Sequence, residues 1–166
     1  MLTIVKGLIL ACMLMIIAGG MGAVPRWVDI PVFIASMGLV YLYWRLSYWV
    51  SDKMVGKSRP TSAPVLFSVF AGKVPAIAED DLLRGRLIIS QGRIELYKRT
   101  RDRKNPCVLA WEIPADTITS VSFGKVTGSR SGFTLHTADD GFSFTCASID
   151  KHKQQLFSAL GWKIEN

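Results

Sequence analysis

Hydrophobic residues at the start of the chain form two long, nearly uninterrupted stretches. The first covers about residues 8–24 and the second about residues 30–50, and only residues 25–29 separate them. A helix needs about 20 apolar residues to cross the hydrocarbon core of a bilayer. The pattern therefore predicts a transmembrane helical hairpin over residues 1–50.

A cleavable signal peptide is the alternative for the first stretch. Such peptides also combine a basic residue, as Lys6 is, with an apolar run that ends in small residues such as Gly19 and Gly20. The residues at 9–12, Ile-Leu-Ala-Cys, loosely resemble a lipoprotein cleavage box, although the apolar run before them is too short. Because a second apolar stretch follows almost at once, the lengths favour an uncleaved hairpin.

Basic residues indicate the orientation of this hairpin. The connecting loop has one, Arg26, which Asp29 offsets. The other side has Lys6 before the first stretch and three residues after the second. These three are Lys53, Lys57 and Arg59. Since cytoplasmic flanks carry the excess of Lys and Arg, both termini are predicted to be cytoplasmic.

Aromatic residues gather at both ends of the second stretch, together with one arginine that can extend its charge towards water. They are predicted to anchor the hairpin at the two membrane interfaces. The predicted interface anchors are Trp27, Trp44, Arg45, Tyr48 and Trp49.

The pattern changes after residue 50. Residues 51–64 are rich in Ser, Lys, Gly and Pro and predict a poorly ordered or extended linker. Residues 65–70 are apolar but too short to cross a bilayer, so they form either a first strand or a segment that skims the membrane. Residues 51–81 are therefore interpreted as a linker with a possible first strand.

Short strand-like runs separated by turn residues follow from residue 82. Asp140-Gly141 is the clearest turn, because Asp-Gly accepts the positive φ that tight hairpins require. With residues 65–70 the count is seven strands. The other six cover residues 82–90, 93–98, 107–113, 117–124, 133–137 and 142–146.

The last element has helical spacing. Ser148 is placed to cap its start, Asp150 suits the dipole of the first turn, and Gly161 is predicted to end it. The residues at helical spacing are Ile149, Lys153, Leu156, Phe157 and Leu160.

This order of elements resembles the pleckstrin-homology (PH) superfold, and its details resemble GRAM-like and bacterial PH-like domains. The resemblance covers roughly residues 76–162. It rests on residues 85–90 (Gly-Arg-Leu-Ile-Ile-Ser), 93–97 (Arg-Ile-Glu-Leu-Tyr), 111–114 (Trp-Glu-Ile-Pro) with Ile118 and Val121, and 132–135 (Gly-Phe-Thr-Leu). It implies a bent antiparallel β-barrel of about seven strands, capped by a C-terminal helix, over residues 82–166. With the hairpin, the fold class is membrane-anchored α+β. An OB-like or SH3-like barrel is the alternative, but neither ordinarily ends in such a helix.

The residues that carry chemistry do not form a catalytic pattern. The three cysteines, Cys12, Cys107 and Cys146, do not resemble a disulfide framework, and His136 and His152 lack the spacing of metal ligands. We therefore expect no enzyme, no metal and no cofactor. The net charge of +7 suits acidic lipid headgroups. It would also suit nucleic acid, but the hairpin argues against that partner.

The most suggestive surface feature is a basic run in the loop after residue 97. Each basic residue near an acidic leaflet contributes about 1 kcal/mol, so several would orient a tethered domain. The alternative is a solvated loop that keeps the protein soluble. The predicted contacts for anionic lipid or a partner are Lys98, Arg99, Arg101, Arg103 and Lys104, with Lys125 and Arg130 in another loop.

The PH resemblance implies phosphoinositide binding around the first hairpin in many family members. In this sequence the corresponding turn, Gln91-Gly92 with Arg86 and Arg93 beside it, is short. The long basic loop follows the next strand instead. This departure argues against stereospecific phosphoinositide binding, whereas general attraction to acidic lipid and protein binding are still consistent with it.

The sequence thus predicts a non-enzymatic integral membrane protein, with a cytoplasmic PH-like domain as a protein-binding or scaffolding module. The expected partners are the bilayer, a membrane protein and, through the basic loop, acidic headgroups. Two alternatives stay open: direct recognition of anionic lipid, and an accessory subunit of a larger membrane complex. A short two-span PH-like protein is more typical of a bacterial inner membrane than of a eukaryote.

Overall fold

The computed structural model describes residues 2–22, 25–59, 63–75, 82–102, 104–147 and 149–162. The chain forms two compact units, Met1–Trp49 and Val50–Asn166. The side chains of Arg26 and Asp29 in the first unit lie outside the described part.

The first unit contains two long helices. Helix α1 covers Leu2–Gly20, a short 3-10 turn covers Arg26–Val28, and helix α2 covers Asp29–Tyr48. Mean hydropathy reaches 2.3 in Leu2–Gly20 and 1.3 in an 18-residue window of Ile30–Ser58, so both helices are long and apolar enough to cross a membrane. Their apolar side chains are mostly exposed around the whole circumference, which is unusual for helices of a water-soluble domain.

The first helix is shifted from the predicted stretch. It begins at Leu2 rather than near residue 8, because Thr3 and Lys6 do not interrupt helical hydrogen bonding. It ends at Gly20 rather than near residue 24. Gly22 has a φ of 78°, a left-handed conformation that commonly ends helices, and its N–H donates to the Gly19 carbonyl at 2.9 Å.

The described part of the second unit contains seven strands in one antiparallel sheet, with the order β4-β3-β2-β1-β7-β6-β5. The strands are β1 (Val65–Lys73), β2 (Leu83–Ser90), β3 (Arg93–Arg99), β4 (Cys107–Pro114), β5 (Ser120–Thr127), β6 (Arg130–His136) and β7 (Gly141–Thr145). Helix α3 (Asp52–Ser58) precedes them, a 3-10 turn (Ala115–Thr117) follows β4, and helix α4 (Ile149–Ala159) is last. The predicted seven antiparallel strands with a C-terminal helix are confirmed. Gly161 follows α4 with a φ of 75°, whereas Ser148 lies outside the described residues.

Two glycines allow neighbouring strands to approach closely. A Cβ at Gly85 would lie 2.1 Å from the Tyr97 carbonyl oxygen, and one at Gly132 would lie 1.9 Å from that of Phe144. Any larger residue would push the paired strands apart, so these positions require glycine.

One face of the sheet surrounds an apolar core, the inner core. Alternate residues of the strands point into it, and Ile149 and Leu156 of α4 fill it from one side. The residues Phe133 and Phe144 stack with ring centroids 5.3 Å apart. The buried members are Phe67, Val69, Ala71, Leu87, Ile89, Ile94, Leu96, Ile118, Phe133, Leu135, Phe144, Cys146, Ile149 and Leu156.

The segment after residue 50 differs from its prediction. Sequence analysis expected residues 51–64 to be poorly ordered or extended, but residues 52–58 form α3. Helix α3 packs on the opposite face of the sheet from the inner core. The cluster there, the outer cluster, consists of Val50, Val55, Ile88, Tyr97 and Cys107, with Met54 beside them. Residues 65–73 form β1, a full member of the sheet, so the strand interpretation of residues 65–70 is confirmed.

Candidate functional site

The predicted basic run begins in β3, whose last residues are Lys98 and Arg99, and continues into the loop between β3 and β4. The Thr100 N–H donates to the Pro106 carbonyl at 3.0 Å, and the Thr100 hydroxyl donates to the Asn105 carbonyl. The Lys104 N–H donates to the Asp102 carboxylate at 2.9 Å. These bonds shape the loop without using the basic side chains. Lys98, Arg101 and Lys104 are exposed, Arg99 is half-buried, and Arg103 lies outside the described residues.

The strand register separates the two predicted groups of basic residues. Arg99 pairs with Cys107, so the β3–β4 loop lies at the end of the sheet where β1 ends and β2 begins. The β5–β6 turn, with exposed Lys125 and Arg130, lies where β6 begins. Since β1, β7 and β6 alternate in direction, this turn is at the opposite end of the strands. Lys125 and Arg130 therefore do not join the β3–β4 group.

Acidic residues lie at the same end of the sheet as the β3–β4 loop. The β6–β7 turn holds Asp139 and Asp140, both exposed, and the Thr137 hydroxyl closes this turn by donating to the Asp140 carbonyl at 3.0 Å. The predicted acidic group Glu79, Asp80 and Asp81 belongs to the β1–β2 connection and lies outside the described residues. The end of the sheet thus carries both signs of charge.

The structure also changes which turn is the first hairpin. Because residues 65–73 form β1, the first hairpin joins β1 to β2 through residues 74–82. Gln91-Gly92 is the second turn, and Gly92 has a φ of 80° there. Arg93 is at this second turn, where it pairs with Glu112 at 3.5 Å on the exposed surface.

The start of α3 is joined to the sheet by a polar contact that the sequence did not indicate. Asp52 accepts hydrogen bonds from Arg86 at 2.9 Å (Nε to Oδ1) and 2.7 Å (Nη2 to Oδ2), and from the Ser68 hydroxyl. Partial burial raises the pKa of the Asp52 carboxyl, but the bonds from Ser68 and Arg86 and the Arg86 charge outweigh it. The pKa therefore lies below its ordinary value.

The end of α3 is joined to the sheet by a buried ion pair. Arg59 Nε lies 3.0 Å from Glu95 Oε2, and the two side chains are only 5% and 6% exposed. Arg59 Nη1 also donates to the Ala63 carbonyl at 2.9 Å. Burial, and then the Glu95 charge, raise the pKa of neighbouring Tyr97, although Arg59 opposes this. Two charges buried together at this distance fix the position of α3 on the sheet.

These pairs remove two arginines from the surface charge that the sequence suggested. Arg59 was counted as a flanking charge of the hairpin and Arg86 as a basic residue near a hairpin turn. Both are paired with carboxylates inside the domain. Lys53 and Lys57 of α3 are exposed and keep their charge at the surface. The sequence carries no local signal for these pairs, because Glu95 stands between apolar Ile94 and Leu96 as an ordinary polar residue of an alternating strand does.

Two of the predicted interface anchors, Trp44 and Trp49, are in ring contact near the end of α2. The Trp44 ring lies 6.2 Å from Tyr41 and 5.8 Å from Trp49, measured between centroids. Trp27 is 76% exposed and Arg45 is exposed, whereas Tyr48 is half-buried. Lys6 Nζ lies 5.6 Å from the centre of the Tyr43 ring. Tryptophan, tyrosine and cationic side chains at helix ends are typical of membrane interfaces.

The groups that could support catalysis are few. In the part of the chain that the structure describes, no three His, Cys, Asp or Glu residues come together in a way that could hold a metal ion. All three cysteines are free, and burial raises the pKa of the Cys146 thiol to about 11, which keeps it protonated. His136 Nε2 lies 2.9 Å from the Ser122 hydroxyl on the exposed surface of β5 and β6. No mechanism follows from that single pair.

The solved structures that are similar to this chain include two human PH domains. The N-terminal PH domain of the human ARAP2 protein aligns over 62% of this chain and 81% of its own, with 18% identity and a TM-score of 0.41. The PH domain of human pleckstrin homology domain-containing protein family A member 5 aligns over 65% and 86%, with 13% identity and a TM-score of 0.42. The sequence matches no protein-family model and no curated protein. Because both TM-scores are low, the fold description rests on the strand order and the C-terminal helix.

Proposed function

We propose that this chain is a non-enzymatic integral membrane protein whose PH-like domain serves as a protein-binding or scaffolding module at the cytoplasmic membrane surface. Helices α1 and α2 would form the transmembrane hairpin. Their length, their hydropathy and the exposure of their apolar side chains support this role. The small number of groups with catalytic chemistry is consistent with a binding module.

The observation that carries this proposal is the burial of Val50 in the outer cluster. Val50 is fully buried, and only Trp49 separates it from Tyr48, the last residue of α2. A chain extends at most about 3.6 Å per residue, so a spanning α2 would keep Val50 within about 7 Å of the bilayer interface. The domain would then be mounted directly on the membrane surface rather than tethered by a long linker.

Recognition of anionic lipid is the second candidate function, and the position of the β3–β4 loop favours it. Cys107, the first residue after this loop, belongs to the same outer cluster as Val50. The exposed loop residues Arg101 and Lys104 would therefore be close to the headgroups. The third candidate function is that of an accessory subunit of a larger membrane complex. A domain placed directly on the membrane surface would be compatible with this function as well.

Affinity purification of the full chain from native membranes in mild detergent tests the first function. We expect a membrane protein to co-elute in a fixed ratio, as identified by mass spectrometry. A chain carrying only residues 1–49 serves as the control, because a partner of the domain should be absent from it. Recovery of the full chain alone would contradict the scaffolding function and favour lipid recognition.

Thiol labelling tests the proposed topology. Ser129 is exposed in the β5–β6 turn, so a Ser129→Cys variant presents an accessible thiol on the domain. In intact cells this thiol should resist an impermeant reagent, and it should react after permeabilisation. Labelling in intact cells would place the domain on the outer side and would remove the argument from the acidic cytoplasmic leaflet.

A further inference from the structure

Exposed basic residues continue from the β3–β4 loop onto helix α3. Lys53 and Lys57 are four residues apart, so they share one side of α3, and both are exposed. Val55 of the same helix is buried against the sheet. Met54 Sδ lies 4.0 Å from Arg99 Nη1, which brings α3 beside the start of the loop.

Two other basic residues beside α3 do not add to this charge. Arg59 is paired with Glu95, and Arg86 is paired with Asp52. Among the described residues, exposed basic side chains on this side of the domain therefore lie on α3 and in the loop, where Asp102 adds a carboxylate. We name this set, Lys53, Lys57, Arg101 and Lys104, the α3–loop face.

We infer that the α3–loop face binds the surface of acidic phospholipids, with Lys53 and Lys57 contributing as much as the loop. This inference rests on the proposed function, since the hairpin must bring the face to the bilayer. Charge complementarity points to an anionic surface. The short connection from α2 to buried Val50 favours lipid headgroups over an acidic protein, because headgroups would already lie within reach of this side.

The test uses the full chain reconstituted into vesicles of phosphatidylcholine alone, or of phosphatidylcholine mixed with phosphatidylglycerol. An environment-sensitive dye is attached at Asn105→Cys, an exposed loop position, in a Cys12→Ser background; Cys107 and Cys146 are buried. Quenching by headgroup-labelled lipid reports docking of the face. We expect stronger quenching in the acidic vesicles and its loss as salt is added.

Charge-neutralising variants identify the residues that act. Lys53→Gln with Lys57→Gln should weaken docking about 30-fold, since each basic residue contributes about 1 kcal/mol. Lys125→Gln with Arg130→Gln removes the same two charges from the opposite end of the strands and should leave docking unchanged. Equal losses from both pairs would overturn the inference, because they would show a general charge effect rather than a face.

Three further outcomes separate this inference from the proposed function. If neutralising Arg101 and Lys104 abolishes docking while the α3 pair has no effect, α3 is not part of the face, although the proposed function stands. If the α3 pair keeps docking in vesicles but loses a co-purifying protein from native membranes, the face binds an acidic protein and the inference is wrong. If the reconstituted chain is washed from the vesicles by high salt, the hairpin does not span, and the proposed function fails as well. Unchanged near-ultraviolet circular dichroism verifies the fold of each variant.

Discussion

The two faces of strands β2 and β3 are both buried, but by different chemistry. On one face, Leu87 and Leu96 pack into the inner core, which α4 closes with apolar side chains. On the other face, Ile88 and Tyr97 lie under α3, whose two ends are fastened by the Asp52–Arg86 and Arg59–Glu95 pairs. Apolar burial is non-directional and tolerates small shifts, whereas paired charges require one position. The inner face thus stabilises the domain by apolar packing. The paired charges of the outer face fix the position of the segment that follows the hairpin.

The difference predicts unequal responses to mutation. Removing atoms from the inner core costs the lost burial plus a cavity. Removing one partner of a buried ion pair costs more than the pair contributed, because the remaining charge stays buried without a partner. Replacing both partners by apolar residues can be nearly neutral.

The largest effect is expected from Glu95→Ala. Arg59 is 5% exposed in its side chain, so its guanidinium would be left buried and unpaired, at a cost of about 3–5 kcal/mol. Thermal unfolding of the full chain in detergent, followed by near-ultraviolet circular dichroism, measures the loss. The matched control is Arg59→Met with Glu95→Leu, which should recover most of the stability. If the double variant is as unstable as the single one, the charge argument is wrong.

The same variant should open only the outer face. Cys107 belongs to the outer cluster and Cys146 to the inner core. A loss of about 3 kcal/mol in the docking of α3 would raise the open population, and hence Cys107 labelling, by about two orders of magnitude. Cys146 should stay protected, because it is buried and its thiol has a pKa of about 11. Peptide mapping after timed thiol labelling measures both rates, and a parallel rise would show that the two faces unfold together.

The next largest loss of stability is expected from truncating a side chain in the inner core. Leu156 is fully buried at the contact of α4 with the sheet, so Leu156→Ala should cost about 2–5 kcal/mol. Gln155→Ala, one residue earlier on the exposed side, should change stability by less than about 0.5 kcal/mol. Denaturant titration of the two variants distinguishes them. Near-equal midpoints would mean that α4 does not close the core.

The inner face could be predicted from the sequence because its signal is local. In residues 93–97 the apolar residues Ile94 and Leu96 alternate with polar ones, and Ile149 and Leu156 repeat at helical spacing. These patterns gave the strands, their inward faces and the closing helix. Glycine and the Asp-Gly pair also indicated the turns, because a turn preference is likewise a local property of the sequence.

The outer face could not be predicted, because its signal is distributed along the chain. Helix α3 has only seven residues, and Gly56 and Ser58 favour helices weakly, so its stability comes from docking. Glu95 and Arg59 are 36 residues apart, and only the fold brings them together. In the alternating pattern Glu95 belonged to the polar side of β3, and nothing local indicated that a helix would cover that side.

The candidate site could be predicted only in part, because some of its features are local in the sequence and others depend on the fold. The basic run of residues 98–104 is visible as a charge cluster, and the structure describes it, apart from Arg103, as the end of β3 and a largely exposed loop. The separation of Lys125 and Arg130 from this loop depends on strand direction across β1, β7 and β6. The contribution of Lys53 and Lys57 depends on α3, which the sequence did not indicate.

The smallest effect concerns the pH dependence of the outer face. The pKa of Asp52 lies below its ordinary value of 3.8 in the folded chain, so its charged form is favoured by folding. The resulting stability is fully present above pH 3.8 and is lost as the pH falls through the lower, folded-state pKa. Because the Asp52 side chain is 61% exposed, solvent screens the pair and its contribution should be below about 1 kcal/mol.

Asp52→Asn should therefore destabilise the domain slightly near neutral pH and flatten its stability profile below pH 3.8. Asp116→Asn, on the exposed 3-10 turn after β4, is the control and should leave the profile unchanged. If Asp52→Asn also leaves it unchanged, the Arg59–Glu95 pair alone fastens α3, and the outer face depends on one end of the helix rather than both.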